Sequence, residues 1–229
     1  MFRKLISYFT KVEIALWFVS VTLIAVSFFV FDKENFLTFA ASLIGVTSLL
    51  FNAKGNPLGP FLIIIFSILY GTISFWFAYY GEMITYLGMT APMSVFAFVS
   101  WIKNSHNGNI AEVKIYEIKR DDTVFMILMS GIVTLIFYFV LKKFHTANLL
   151  PSTISVVTSF LAVYLTYKRN PLFALAYAAN DCVLIILWIL ASIIDISYLS
   201  VVTCFAVFFV NDIYAFINWK RIQKRQRTE

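Results

Sequence analysis

Charge is what this sequence has least of. Only 13% of its 229 residues are Asp, Glu, Lys or Arg, about half the share of an ordinary soluble domain, which excludes a water-exposed globular fold. Five prolines, eight glycines and no polar tract exclude a collagenous, low-complexity or disordered chain. The two cysteines, Cys182 and Cys204, lie inside apolar runs without metal or redox spacing and read as small core packers. No phosphate-cradling loop occurs, which excludes direct ATP drive. His106 and His145 fall in loops without metal-like partners, so neither metal nor cofactor is expected.

What is there is apolar: 61% of the residues are hydrophobic and 18% aromatic, with a mean hydropathy of +0.84. The fold class is all-α integral membrane. At roughly 20 residues per span, uninterrupted apolar runs predict eight helices over 13–31, 36–52, 58–80, 83–102, 123–141, 149–167, 171–193 and 197–218. Asn56-Pro57 opens the third, Gly81-Glu82 closes it, and Asn170-Pro171 opens the seventh. The first run has no small-residue cleavage site before Asp32-Lys33-Glu34, so it reads as a retained helix. Basic residues cluster at helix ends, which argues for membrane orientation and against nucleic acid. Eight spans place fifteen of the Lys and Arg residues on one side and three on the other. By the positive-inside rule both termini are cytoplasmic in the plasma membrane.

The sequence repeats itself. Lys54-Gly55-Asn56-Pro57-Leu58 returns 114 residues later as Lys168-Arg169-Asn170-Pro171-Leu172, and the segment ending Ser100-Trp101-Ile102-Lys103 returns 118 later as Asn218-Trp219-Lys220-Arg221. The unit is three helices. The expected organisation is an extra N-terminal helix (1–35), a first triplet (36–102), a cytoplasmic loop with a linker helix (103–148), a second triplet (149–219) and a basic tail (220–229). One linker between two triplets makes them parallel repeats (3+1+3), related by an axis along the membrane normal.

Asn52-Ala53-Lys54-Gly55-Asn56, Tyr70-Gly71, Tyr80-Gly81-Glu82, Pro92-Met93, Trp101, Asn180 with Trp188, and Asn211-Asp212-Ile213-Tyr214 leading to Asn218-Trp219-Lys220 resemble the PnuC-type nicotinamide riboside transporters. The similarity runs from about residue 40 to 221. It implies a 3+1+3 helix core, a pocket between the triplets, and facilitated diffusion of a nucleoside-like vitamin precursor that a cytosolic kinase traps. Two tryptophans usual in that family, seven and four residues ahead of Asn180, are Phe173 and Ala176 here, and the glutamine after Pro-Met is Ser94.

Two acids, Asp181 and Asp212, stand inside the spans away from their ends. Each costs roughly 2.5–3.5 kcal/mol at bilayer depth, so each is expected to face a polar interior. Helical spacing puts Tyr177, Asn180, Asp181 and Trp188 together, and likewise Asn211, Tyr214 and Asn218. In the first triplet the matching positions are Ser67, Tyr70, Gly71 and Ser74, then Tyr86, Thr90 and Ser94. The expected substrate site is therefore Asn180, Asp181, Tyr177, Trp188, Asn211, Asp212, Tyr70, Thr90 and Ser94. Trp17, Trp101 and Trp219 read as interface-belt or packing residues, and Glu82 as a solvated helix cap.

Two function classes follow. A transporter holds a small polar ring compound between aromatic faces and Asn or Asp hydrogen bonds. The ligand is nicotinamide riboside or, given the missing tryptophans, an ordinary nucleoside or deoxynucleoside, with thiamine and riboflavin as further alternatives. An intramembrane aspartyl protease would need Asp181 and Asp212 as a proton-sharing dyad. Counted along their helices the two acids fall at different depths, and no Gly-x-Gly-Asp segment is present. No enzyme is expected. The partners are a nucleoside-like substrate, the lipid bilayer and, for so small a transporter, a second copy of the chain.

Overall fold

The computed structural model describes residues 8–76, 79–146 and 148–229. Arg3 and Lys4, counted above among the basic residues, lie outside them. Eight helices are long and apolar enough to cross a membrane, the number expected. We label them α1 (Lys11–Phe31), α2 (Phe36–Ala53), α3 (Leu58–Trp76), α4 (Tyr80–Lys103), α5 (Arg120–Lys143), α6 (Leu149–Tyr167), α7 (Leu172–Ser192) and α8 (Leu199–Thr228).

Three features differ from the sequence reading. Gly81-Glu82 does not close α3; it forms the first turn of α4. The glycine is there for close packing, since a Cβ would lie 2.8 Å from Thr146 Cγ2. Within α4, Tyr86–Thr90 is a π turn, placed just ahead of Pro92, which lacks an N–H and cannot join a regular ladder. The basic tail is also helical, continuing α8 to Thr228. Its side chains find acids to pair with: Arg225 meets Glu112, and Arg227 Nε donates to Glu117 at 2.6 Å.

The two repeated turns share one geometry. Asn56 Oδ1 accepts the Leu58 N–H at 2.9 Å, and Asn170 Oδ1 accepts the Leu172 N–H at 3.0 Å. The repeated tryptophans pin each half to the other: Trp101 Nε1 donates to Thr166 O at 2.8 Å, and Trp219 Nε1 to Asn52 O at 2.7 Å. Helix contacts follow the same pattern, α2 lying against α3 and α8, and α6 against α7 and α4. Strands β1 (Ser105–His106) and β2 (Asn109–Val113) form a hairpin after α4. The chain then runs beneath both turns, with Val113 N–H donating to Gly55 O at 2.9 Å and Tyr116 N–H to Arg169 O at 3.1 Å.

Trp101 and Trp219 are packing residues. Both are fully buried with Phe173, ring centroids 5.3 Å apart for the tryptophan pair and 4.8 Å for Phe173 and Trp219. Cys204 is buried as expected, whereas Cys182 is exposed on α7 and packs no core.

Candidate substrate site

The middle of the bundle, between the tryptophan cluster and the opposite face, is where polar side chains gather. Asp181 of α7 and Asp212 of α8 are both buried, and their carboxyls meet. The expectation that they lie at different depths is thus corrected. Asp181 is ten residues past Pro171 and Asp212 eight before Lys220, so both lie about 12–15 Å from the basic face. Contact between two carboxyls away from water is attractive only with a proton between them.

Glu82 is the second correction. Expected as a solvated cap, it is 1% exposed, because it belongs to the first turn of a packed α4. The Ser155 hydroxyl of α6 lies beside its carboxyl, but neither oxygen is engaged in a hydrogen bond of regular geometry among the described residues. Tyr70 and Tyr86 neighbour it. Sequence reasoning missed it by assigning the Gly81-Glu82 pair to a helix end.

Asn180 is buried and oriented by α6: its Oδ1 accepts from Thr158 at 2.8 Å, Ser159 at 3.0 Å and Ser155 at 3.4 Å. With the carbonyl so occupied, its NH2 is what it has to offer. Tyr177 neighbours both aspartates. Tyr70 and Tyr86 meet edge to face at 4.5 Å. Trp188 Nε1 donates to the Tyr70 hydroxyl at 2.7 Å, and its ring packs on Tyr79 at 4.7 Å and Tyr198 at 5.4 Å. Those rings cover the site from the face opposite the basic one.

Thr90 and Ser94 are both buried on α4, and the Thr90 hydroxyl has no hydrogen-bond partner among the described residues. Asn211 is placed differently from its neighbour. Its Nδ2 donates to Ser20 Oγ at 3.0 Å and Val207 O at 2.8 Å, so it faces α1. It forms one rung of a polar seam with Glu13–Tyr214 (3.1 Å) and Ser27–Thr203 (2.9 Å). The interval of seven between Glu13, Ser20 and Ser27 is the signal that would have shown this.

A transmembrane bundle with buried polar groups at its centre is compatible with several functions, and comparison with known proteins decides among them. Residues 35–221 match the family model described as nicotinamide mononucleotide transporter. The chain belongs to that family. A curated relative, the nicotinamide riboside transporter PnuC of Neisseria mucosa, is 27% identical over 240 residues, covering 97% of this chain and 86% of its own. The fold is that of a solved structure, the crystal structure of the vitamin B3 transporter PnuC. The superposition has a TM-score of 0.81 at 24% identity, over 95% of this chain and 94% of the other. Family members are transporters, not enzymes, so the meeting of Asp181 and Asp212 is not a protease dyad.

Proposed function

We propose that the chain carries a nucleoside-like small molecule, foremost nicotinamide riboside, through the plasma membrane by facilitated diffusion, with a cytosolic kinase trapping the product. The observation that carries this reading is a set of buried polar atoms with no hydrogen-bond partner among the described residues: Ser67 and Ser74 on α3, Glu82 and Thr90 on α4, Asp181 on α7 and Asp212 on α8. Unpaired buried polar groups each cost about 1–3 kcal/mol. A polar ligand entering between the helices satisfies several at once.

In this reading the Asn180 NH2, Glu82 and the Asp181–Asp212 pair hydrogen-bond the ligand, while Tyr70, Tyr86 and Tyr177 offer ring faces. Trp188 acts through Tyr70, and Ser94 lies on the same helix as Thr90. Asn211 supports the site by holding α8 to α1. The matched turns and reciprocal tryptophan bonds favour a duplication of three helices with α5 as linker. The fifteen-to-three basic asymmetry favours cytoplasmic termini.

A nucleoside or deoxynucleoside is the second reading, favoured by one observation. Phe173 is fully buried against Trp101 and Trp219 and Ala176 has no ring, so neither position stacks on a ligand. Competition uptake with nicotinamide riboside, thymidine, deoxyadenosine and thiamine, on wild type and Asp181→Asn, separates the two. A cationic ligand loses affinity more than tenfold without the carboxyl, about 1.4 kcal/mol. A neutral nucleoside keeps most of its affinity. Failure of every ligand to compete refutes both.

A further inference from the structure

The turn between α6 and α7 copies the turn between α2 and α3 except at one residue. Gly55 takes the left-handed conformation, at φ +67°, in the first turn, and Arg169 takes it, at φ +56°, in the second. That conformation costs a residue with a Cβ roughly 1–2 kcal/mol and glycine nothing. For the turn alone, glycine is the better residue.

No hydrogen bond or ion pair of the Arg169 guanidinium offsets the strain among the described residues. Its Nε and Nη1 are buried with no hydrogen-bond partner among the described residues, and its Cζ lies 5.9 Å from the centre of the Tyr116 ring. Burial pushes the guanidinium below its ordinary pKa, as expected of a cation without a counter-ion. Arg169 lines a cavity of about 210 Å3 on the basic face, together with Ser100, Asn104, Tyr116, Tyr167 and Lys168. Asp122 cannot serve as the counter-ion, because it already accepts from Lys168 Nζ at 2.7 Å, the Tyr116 hydroxyl at 2.8 Å and the Lys119 N–H at 3.2 Å. Asn104 Nδ2 is spent on Ser100 O at 2.8 Å, and the Ser100 hydroxyl on Tyr167 O at 3.0 Å. Among the described residues the guanidinium thus keeps two N–H groups, on Nε and Nη1, without an acceptor.

We propose that this cavity binds a phosphate group, either the free anion or a phospholipid headgroup, held by Arg169, which unlike Lys168 has no carboxylate partner among the described residues. The site is separate from the substrate site, since Asp181 lies about three helical turns further along α7. A guanidinium fork matches two phosphate oxygens, and that bidentate contact is what a glycine at this position could not supply.

The test is thermal unfolding of the full chain in phosphatidylcholine nanodiscs, titrated with inorganic phosphate against chloride at equal ionic strength. Wild type shows a saturable stabilisation. Arg169→Gln removes the charge, and Arg169→Gly also relieves the backbone; each weakens apparent phosphate affinity about tenfold or more. Arg169→Gly also guards against a folding artefact, because it suits the turn better than arginine. Discs that contain phosphatidylglycerol blunt the titration if a headgroup is the occupant and leave it unchanged if the free anion is. A wild type insensitive to both phosphate and phosphatidylglycerol, or an Arg169→Gly protein that responds as wild type does, overturns the proposal.

Discussion

Asp32 shows how a single residue's surroundings become a measurable property. It follows α1 on the face opposite the basic one, where burial, with Asp195 and Glu34 nearby, pushes its carboxyl from 3.8 to about 6 despite the Ser200 hydroxyl at 3.4 Å. A carboxyl whose folded pKa is raised favours the folded state fully below its unfolded pKa and loses that contribution as pH rises through the folded value. Wild type therefore gains stability on going from about pH 7 to about pH 4 through this group, and Asp32→Asn removes that part of the pH dependence. Thermal melts of both proteins across that range check it; parallel melting curves refute it. At this scale the sequence was informative wherever chemistry was out of place. Asp181 and Asp212 stand out because an acid in an apolar run has no bland explanation. Glu82 did not stand out, because beside Gly81 it looked like the end of a helix, and only the packing of Gly81 on Thr146 shows that the helix starts there.

Elements were legible to the extent that length and hydropathy determine them. All eight helices were recovered, since a span must satisfy its own backbone in lipid and cannot be short. The π turn in α4 and the helical tail of α8 were not, because one depends on how a ladder accommodates Pro92 and the other on acids brought from the loop before α5. Close helix contacts depend on single residues that periodicity does not flag. Gly45 on α2 is one: a Cβ there would sit 2.3 Å from Phe208 Cζ of α8 and 3.1 Å from Phe66 Cδ2 of α3. Gly45→Ala should destabilise the protein by about 1–3 kcal/mol through overpacking, read as a lower melting temperature in detergent. The α1–α8 seam makes a parallel prediction. Asn211→Leu removes the donor to Ser20, which costs about 1–3 kcal/mol and lowers the melting temperature. Substrate affinity measured below that temperature should stay at the wild-type level, because Asn211 faces α1; a selective loss of affinity would place it in the site instead.

For the whole molecule, the charge asymmetry and the two cross-pinned halves make one object with a basic side and a buried polar cluster at mid-depth. Single cysteines at Asn107 and His145 test the orientation: in intact cells an impermeant maleimide labels His145→Cys and leaves Asn107→Cys unmodified until the membrane is permeabilised. The opposite pattern inverts the topology. The central claim is that the buried carboxyls and hydroxyls between the halves form the substrate site, and Glu82 is the sharpest place to test it. Calorimetric titration of nicotinamide riboside into wild type and Glu82→Gln is the most direct measurement. Glu82→Gln keeps the size and burial of the side chain but replaces one of its two oxygens with an NH2 donor. The account predicts saturable binding to wild type, weakened about tenfold or more in Glu82→Gln, with both proteins equally folded by thermal melting. Binding of equal strength to the two proteins would contradict it.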